Sequence, residues 1–281
     1  MSRQLSFLLI NLIGFTSVAN YPLFKESTID KPHAGMIALP APKGINSLCY
    51  DEWSRHKELI IDKRDSLQQA IIEKENRACR YKEKAQQEIN NLKARVTQLD
   101  KVIELINSLE KSDEQYILQT ADKPEGSTSW DAKRKCVVLT VGSTANFIHE
   151  ITHGGQYEAG EIIFDALLEK SYLQDLYDET DAYKAQYAYD PASITGLKSN
   201  TVARTMEDIT PQWVANLQSK EGEKTYREHG LIRVNINSPK ATLLIAYPQL
   251  ENQFKTWADN CTMKEVPNVV YKQMPLVAAR H

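Results

Sequence analysis

From Asp51 to Ser112 the chain has neither glycine nor proline, and Glu, Lys, Gln, Leu, Ile and Ala dominate. A breaker-free stretch of strong helix formers leaves little choice but helix. Its second half carries apolar residues at Ala85, Ile89, Leu92, Val96, Leu99, Ile103 and Ile106. The steps alternate between four and three, the heptad spacing that keeps an apolar seam on one side of a helix. Glu75 and Lys82 interrupt that seam earlier on, so the segment reads as one long helix or two consecutive ones. Such a seam has to be covered. A second copy of the chain in a coiled coil, an antiparallel return, or packing on the rest of the chain would each cover it.

Ahead of this segment, Arg3 is the only charge before Lys25, an apolar run spans Leu5 to Phe15, and Ser17-Val18-Ala19 supplies small residues after it. That is the layout of a secretory signal peptide cut near Ala19, with an uncleaved anchor as the alternative. The run is shorter than the ~20 apolar residues that span a bilayer. The expected setting is therefore secreted or periplasmic, with no membrane span after cleavage. Pro22, Pro32, Pro40, Pro42, Gly35 and Gly44 make residues 20–48 an extended lead-in. Export would let Cys49, Cys79, Cys136 and Cys261 form two disulfides; buried free thiols are the other reading. A net charge of −3 without a basic run gives no footing for a nucleic-acid partner.

After Glu114 the texture changes. Tyr116 to Thr120 suggests a strand and Lys123 to Gly126 a turn. Cys136-Val137-Val138-Leu139-Thr140-Val141 is a short β-branched run, hence a strand. Ser143 or Thr144 then caps a helix that Gly154-Gly155 ends. Helical texture resumes from Tyr157 to Tyr189 and stops before Pro191. The expected units are 1–19 signal peptide, 20–48 lead-in, 49–114 long helical segment and 115–281 a second domain.

The capped helix contains His149-Glu150-Ile151-Thr152-His153. Positions i and i+4 lie one turn apart on one face, so both imidazoles can reach one ion, while Glu150 lies beside them. A Zn²⁺ ion so held lowers the pKa of its water to about 7, and a neighbouring carboxylate can take the proton. A third protein ligand is needed. Position 159 is alanine, so the longer HExxHxxGxxH pattern is absent. The next acids are Asp178, Glu179 and Asp181. Helical spacing puts Glu179 with Leu176, Ala182, Tyr183 and Gln186 on an inward face, and Asp178 and Asp181 with Asp175 and Lys184 on a solvated one. Glu179 is the preferred ligand, with Asp178 and Asp181 kept as alternatives. By residue type alone, His229, Tyr183 and Tyr187 are candidates to stabilise an oxyanion, although His229 reads as exposed and the tyrosines as packing.

A strand, an HExxH helix and a later helix starting with Glu179-Thr180-Asp181-Ala182 resemble the zincin metallopeptidases of the gluzincin type. The resemblance covers roughly residues 115 to 190 and is specific only at HExxH. It implies that His149, His153 and Glu179 bind one zinc ion, that Glu150 is the general base, and that Cys136 to Val141 is the edge strand along which substrate lies. The chain departs from the pattern at Tyr183, where such proteins often have an Asp that supports a zinc-bound His; Asp181 or Glu158 would have to replace it. The expected fold is α+β and mostly helical: a long helical or coiled-coil segment, then a zincin-like domain whose short sheet packs on the HExxH helix. The expected function is an exported zinc metallopeptidase acting on peptides or proteins, with self-association through the long helix. The alternatives are a coiled-coil structural or binding protein with a degenerate or structural metal site, and a zinc hydrolase of non-peptide substrates.

Overall fold

The structure, a computed structural model, describes residues 40–77, 82–123, 126–167, 169–248, 251–254, 262, 264 and 269–272. The signal peptide expected at 1–19, most of the lead-in, Cys79 and Cys261 lie outside the described residues.

The breaker-free stretch folds as two helices, α1 (Tyr50–Arg77) and α2 (Lys82–Leu109). Cross-helix ion pairs give their direction: Lys57 meets Glu110 at 2.8 Å, Arg64 meets Asp100 at 2.8 Å, and Lys74 meets Glu88 at 2.6 Å. One number rises as the other falls, so the pair is an antiparallel hairpin. The seam residues Ile89, Val96, Leu99 and Ile106 are buried in one core with Trp53 and Ile60 of α1 and with Val137, Phe147 and Ile151 of the following segment. The coiled coil expected from the heptads does not hold, because the chain covers its own seam by an antiparallel return and by packing on the rest of the molecule. The hydrophobic core also runs across residue 114, where a domain boundary was expected.

Strands β1 (Tyr116–Thr120), β2 (Gly126–Asp131) and β3 (Cys136–Val141) form a sheet in the order β1-β3-β2. β1 runs parallel and β2 antiparallel to β3. The resemblance implies that β3 is the edge strand; here it is central, with β1 and β2 on its two sides. The sequence of β2 is rich in small polar residues, so it reads as loop until its pairing with β3 is known. Gly142-Ser143 leads into α3 (Thr144–Glu158), with Ser143 as its N-cap accepting from Asn146 N at 3.1 Å.

α3 continues through Gly154-Gly155, which were expected to end it. A Cβ on Gly155 would lie 2.5 Å from Leu105 Cδ1 of α2, so this glycine allows close helix packing. The helix expected over 157–189 is also interrupted. A hairpin, β4 (Ile163–Asp165) and β5 (Lys170–Leu173), precedes α4 (Leu176–Tyr189). Leu, Glu and Lys in that stretch mimic helix, but Ile163, Phe164 and Leu173 are buried as strand residues. β4 also pairs with β6 (Val269–Val270). Short helices α5 (Ala192–Thr195) and α6 (Pro211–Ala215) pack Ile194, Trp213 and Val214 against Tyr183 and Tyr187 of α4. Helix α7 (Lys240–Ala246) sends Leu243 and Ala246 to a small core with Ile163 and Leu173.

The fold is thus α+β with small sheets, and no described helix is long and apolar enough to cross a membrane. Cys49 and Cys136 are free thiols, so the two-disulfide arrangement is not formed. Burial raises both thiol pKa values.

Candidate metal centre

α3 and α4 lie against one another, and the histidines of the first face the opening turn of the second. Asp175 caps α4 by accepting from Tyr177 N and Asp178 N, while Asp178 Oδ2 accepts from Asp175 N. This capping box fixes the first turn of α4, and Glu179 is in it. His149 Nε2 lies 3.3 Å from Glu179 Oε2, and His153 Nε2 lies 3.6 Å from Glu179 Oε1. One ligand atom from each of His149, His153 and Glu179 lies within 4.8 Å of the other two, and all three residues are buried.

The hydrogen bonds behind the imidazoles fix their tautomers. Gln156 Nε2 donates to the Asp178 carbonyl at 3.0 Å, so its Oε1 is the end that meets His153 Nδ1 at 2.7 Å. Gln186 Nε2 donates to Ser193 Oγ at 3.2 Å, and Ser193 Oγ donates to the Asp190 carbonyl. Gln186 Oε1 therefore meets His149 Nδ1 at 3.0 Å. Both Nδ1 atoms must carry the proton, which leaves both Nε2 lone pairs facing Glu179. Acceptors converging this closely need a positive charge among them, a metal ion or a proton.

The residues fit a metal. Glu179 Oε2 is buried with no hydrogen-bond partner. Zinc bonds of ~2.1 Å in a tetrahedron separate ligand atoms by roughly 3.4 Å, close to the 3.3 Å between His149 Nε2 and Glu179 Oε2. Burial pushes Glu179 up, but His153, His149 and His229 outweigh it and hold its carboxyl well below the usual range. Burial pushes His153 down to about 4. It also works to lower His149, where Glu179 prevails and the net shift is upward.

Glu150 is 4% exposed and points to β2. Thr128 Oγ1 donates to its Oε2 at 2.7 Å. A Cβ on Gly126 would come within 2.2 Å of its Oε1, so only glycine admits this approach. Burial pushes Glu150 up to about 7, opposed by His149 and the Thr128 hydroxyl.

The four residues chosen from spacing, His149, Glu150, His153 and Glu179, come together. The alternatives do not join them. Asp181 is at the surface with Arg233, at 2.7 Å. Asp178 is buried, not solvated as its helical position suggested, because it serves the cap. Neither Asp181 nor Glu158 supports a histidine: Glu158 accepts from Tyr116 Oη and Ser112 Oγ. The supporting groups are Gln156 and Gln186. Gln186 shares the inward face with Glu179 and Gln156 follows His153 by one turn, so helical spacing was the available signal.

Tyr183 packs edge-on against His149 with centroids 4.7 Å apart, and its hydroxyl meets that of Tyr226 at 2.7 Å. Tyr187 points elsewhere, to the Arg204 carbonyl. His229, expected to be exposed, is half-buried at the rim with Nε2 3.6 Å from Glu179 Oε1. Tyr226 lies edge-on to it.

No protein-family model, curated protein or solved structure matches this chain.

Proposed function

We propose that this chain is an exported zinc-dependent peptidase. The observation that carries this reading is the convergence of the buried His149, His153 and Glu179, with both histidine Nδ1 atoms engaged by glutamine oxygens, Glu179 Oε2 without a hydrogen-bond partner, and Glu150 alongside. His149, His153 and Glu179 would hold the ion. Zinc supplies Lewis acidity and lowers the pKa of its water to about 7. Glu150, oriented by Thr128, receives a proton and returns it to the leaving amine. His229, at the rim of the site, donates to the oxygen that develops charge.

The edge strand β2 supports a peptide substrate. Trp130 N donates away from β3, to the Glu169 carbonyl at 3.2 Å. By strand alternation the backbone groups of Thr128 and Gly126 face the same outer side, next to Glu150. An extended peptide can pair there. Burial of the ligands also fits a structural metal in a binding protein, and turnover separates the two readings. Wild-type protein with zinc should cleave members of a peptide library, and Glu150→Gln should lower the rate about 10²–10⁴-fold. Absence of cleavage by the wild type would refute the peptidase reading; equal rates would remove Glu150 from the chemistry.

A further inference from the structure

The two oxygens of Glu179 have different surroundings. Oε2 faces His149 Nε2 at 3.3 Å and is buried without a hydrogen-bond partner. Oε1 accepts a 2.5 Å hydrogen bond from Gln174 Nε2. Gln174 belongs to the short connection between β5 and α4, and that connection is pinned on both sides. Leu173 before it is buried in strand β5, and Asp175 after it caps α4 and bridges Gly230.

The amide of Gln174 has one workable orientation. Its Oε1 accepts from Ser171 Oγ at 2.9 Å. Reversed, it would set an oxygen against Glu179 Oε1 at hydrogen-bond distance, two acceptors with no proton between them. The amide nitrogen lies 3.1 Å from His153 Nε2 and 3.4 Å from His153 Nδ1. Near-equal distances to both ring nitrogens place it over the imidazole face, so the Nε2 lone pair stays open. The amide therefore occupies one carboxylate oxygen and leaves the ligand atoms His149 Nε2, His153 Nε2 and Glu179 Oε2 clear.

We propose that Gln174 is a positioning residue that makes Glu179 a one-oxygen ligand, holding Oε1 so that only Oε2 reaches the metal. This rests on the metal-centre reading above and adds what keeps that centre open. A carboxylate binding through both oxygens would fill a coordination position that a hydrolytic centre needs for water and substrate.

The test is the visible absorption of the cobalt(II)-loaded protein, which reports coordination number, together with zinc affinity from chelator competition. Gln174→Ala should release Oε1, raise the coordination number by one, weaken the visible bands, and lower zinc affinity about ten- to a hundredfold. Ser171→Ala, which only loosens the amide, should move both readouts in the same direction by less. It decides the question if Gln174→Ala does not fold. Wild-type spectra in both variants, with zinc affinity within about twofold of wild type, would overturn the role of Gln174 while leaving the metal centre standing. A wild-type protein that binds neither cobalt nor zinc would overturn the metal centre itself, and the role of Gln174 with it.

Discussion

Along the α1–α2 hairpin, most charged side chains stand in water, with the buried Arg95 as an exception. Lys74 and Glu88 pair at 2.6 Å with 43% and 48% of their side chains exposed. Where α3 meets α4, His149, Glu150, His153 and Glu179 are each less than 10% exposed. The hairpin mostly follows the ordinary division of labour, with apolar residues inside and charges outside, and each surface pair contributes about 0–1 kcal/mol. The centre reverses it. Burying such groups costs free energy unless each has a partner, and the partners are Gln156, Gln186, Gln174 and Thr128. The hairpin core supplies stability, and the α3–α4 junction uses some of it to hold acceptors together.

The contrast can be broken by substitutions on either side. Ile106→Ala, at a fully buried seam position, should cost about 2–5 kcal/mol in denaturant unfolding. Glu150→Gln should leave that midpoint unchanged or higher, since it removes a buried ionisable group. A large loss in Glu150→Gln with little in Ile106→Ala would invert the assignment. Next, Gln186→Ala and Gln156→Ala should each weaken zinc binding about ten- to a hundredfold, measured by chelator competition, by freeing an imidazole to turn. Wild-type affinity in both would mean that the histidines need no second partner.

The interface between hairpin and α3 should respond to pH. His56 is buried, stacks on Phe147 and meets Thr144 Oγ1 at 2.9 Å. Burial, helped by the charge of Arg55, pushes it down to about 4, from an ordinary value near 6.5. The unfolded chain therefore takes up this proton first. The stability due to neutral His56 is full above about pH 6.5 and is lost as pH falls toward 4. Melting curves across that window should show the loss in the wild type and a smaller one in His56→Gln; equal slopes would remove His56 as the source. Smallest of all, Lys74→Ala should change stability by less than about 1 kcal/mol.

The sequence made the long helices and the candidate ligands legible for the same reason: both depend on helical periodicity. The seam from Ala85 to Ile106, the i, i+4 histidines and the inward face of Glu179 all repeat at that spacing. What periodicity could not convey was what covers what. The heptads are equally compatible with a partner chain, and only the return of α1 shows the seam closing on itself. β2 is polar and its place at the edge comes from register with β3, so the resemblance to zincins put the edge at the wrong strand. Gln174 and His229 reach the centre from irregular connections, where spacing carries no information. Gly155 looked like a stop because a close approach by Leu105 is invisible in a linear sequence.

The most direct test of the metal centre is metal content after zinc loading and desalting. The wild type should retain a single zinc ion per chain. Glu179→Ala, with an unchanged far-UV circular dichroism spectrum, should retain almost none. A wild type without stoichiometric zinc, or a Glu179→Ala protein that keeps it, would contradict the assignment of His149, His153 and Glu179 as the ligands.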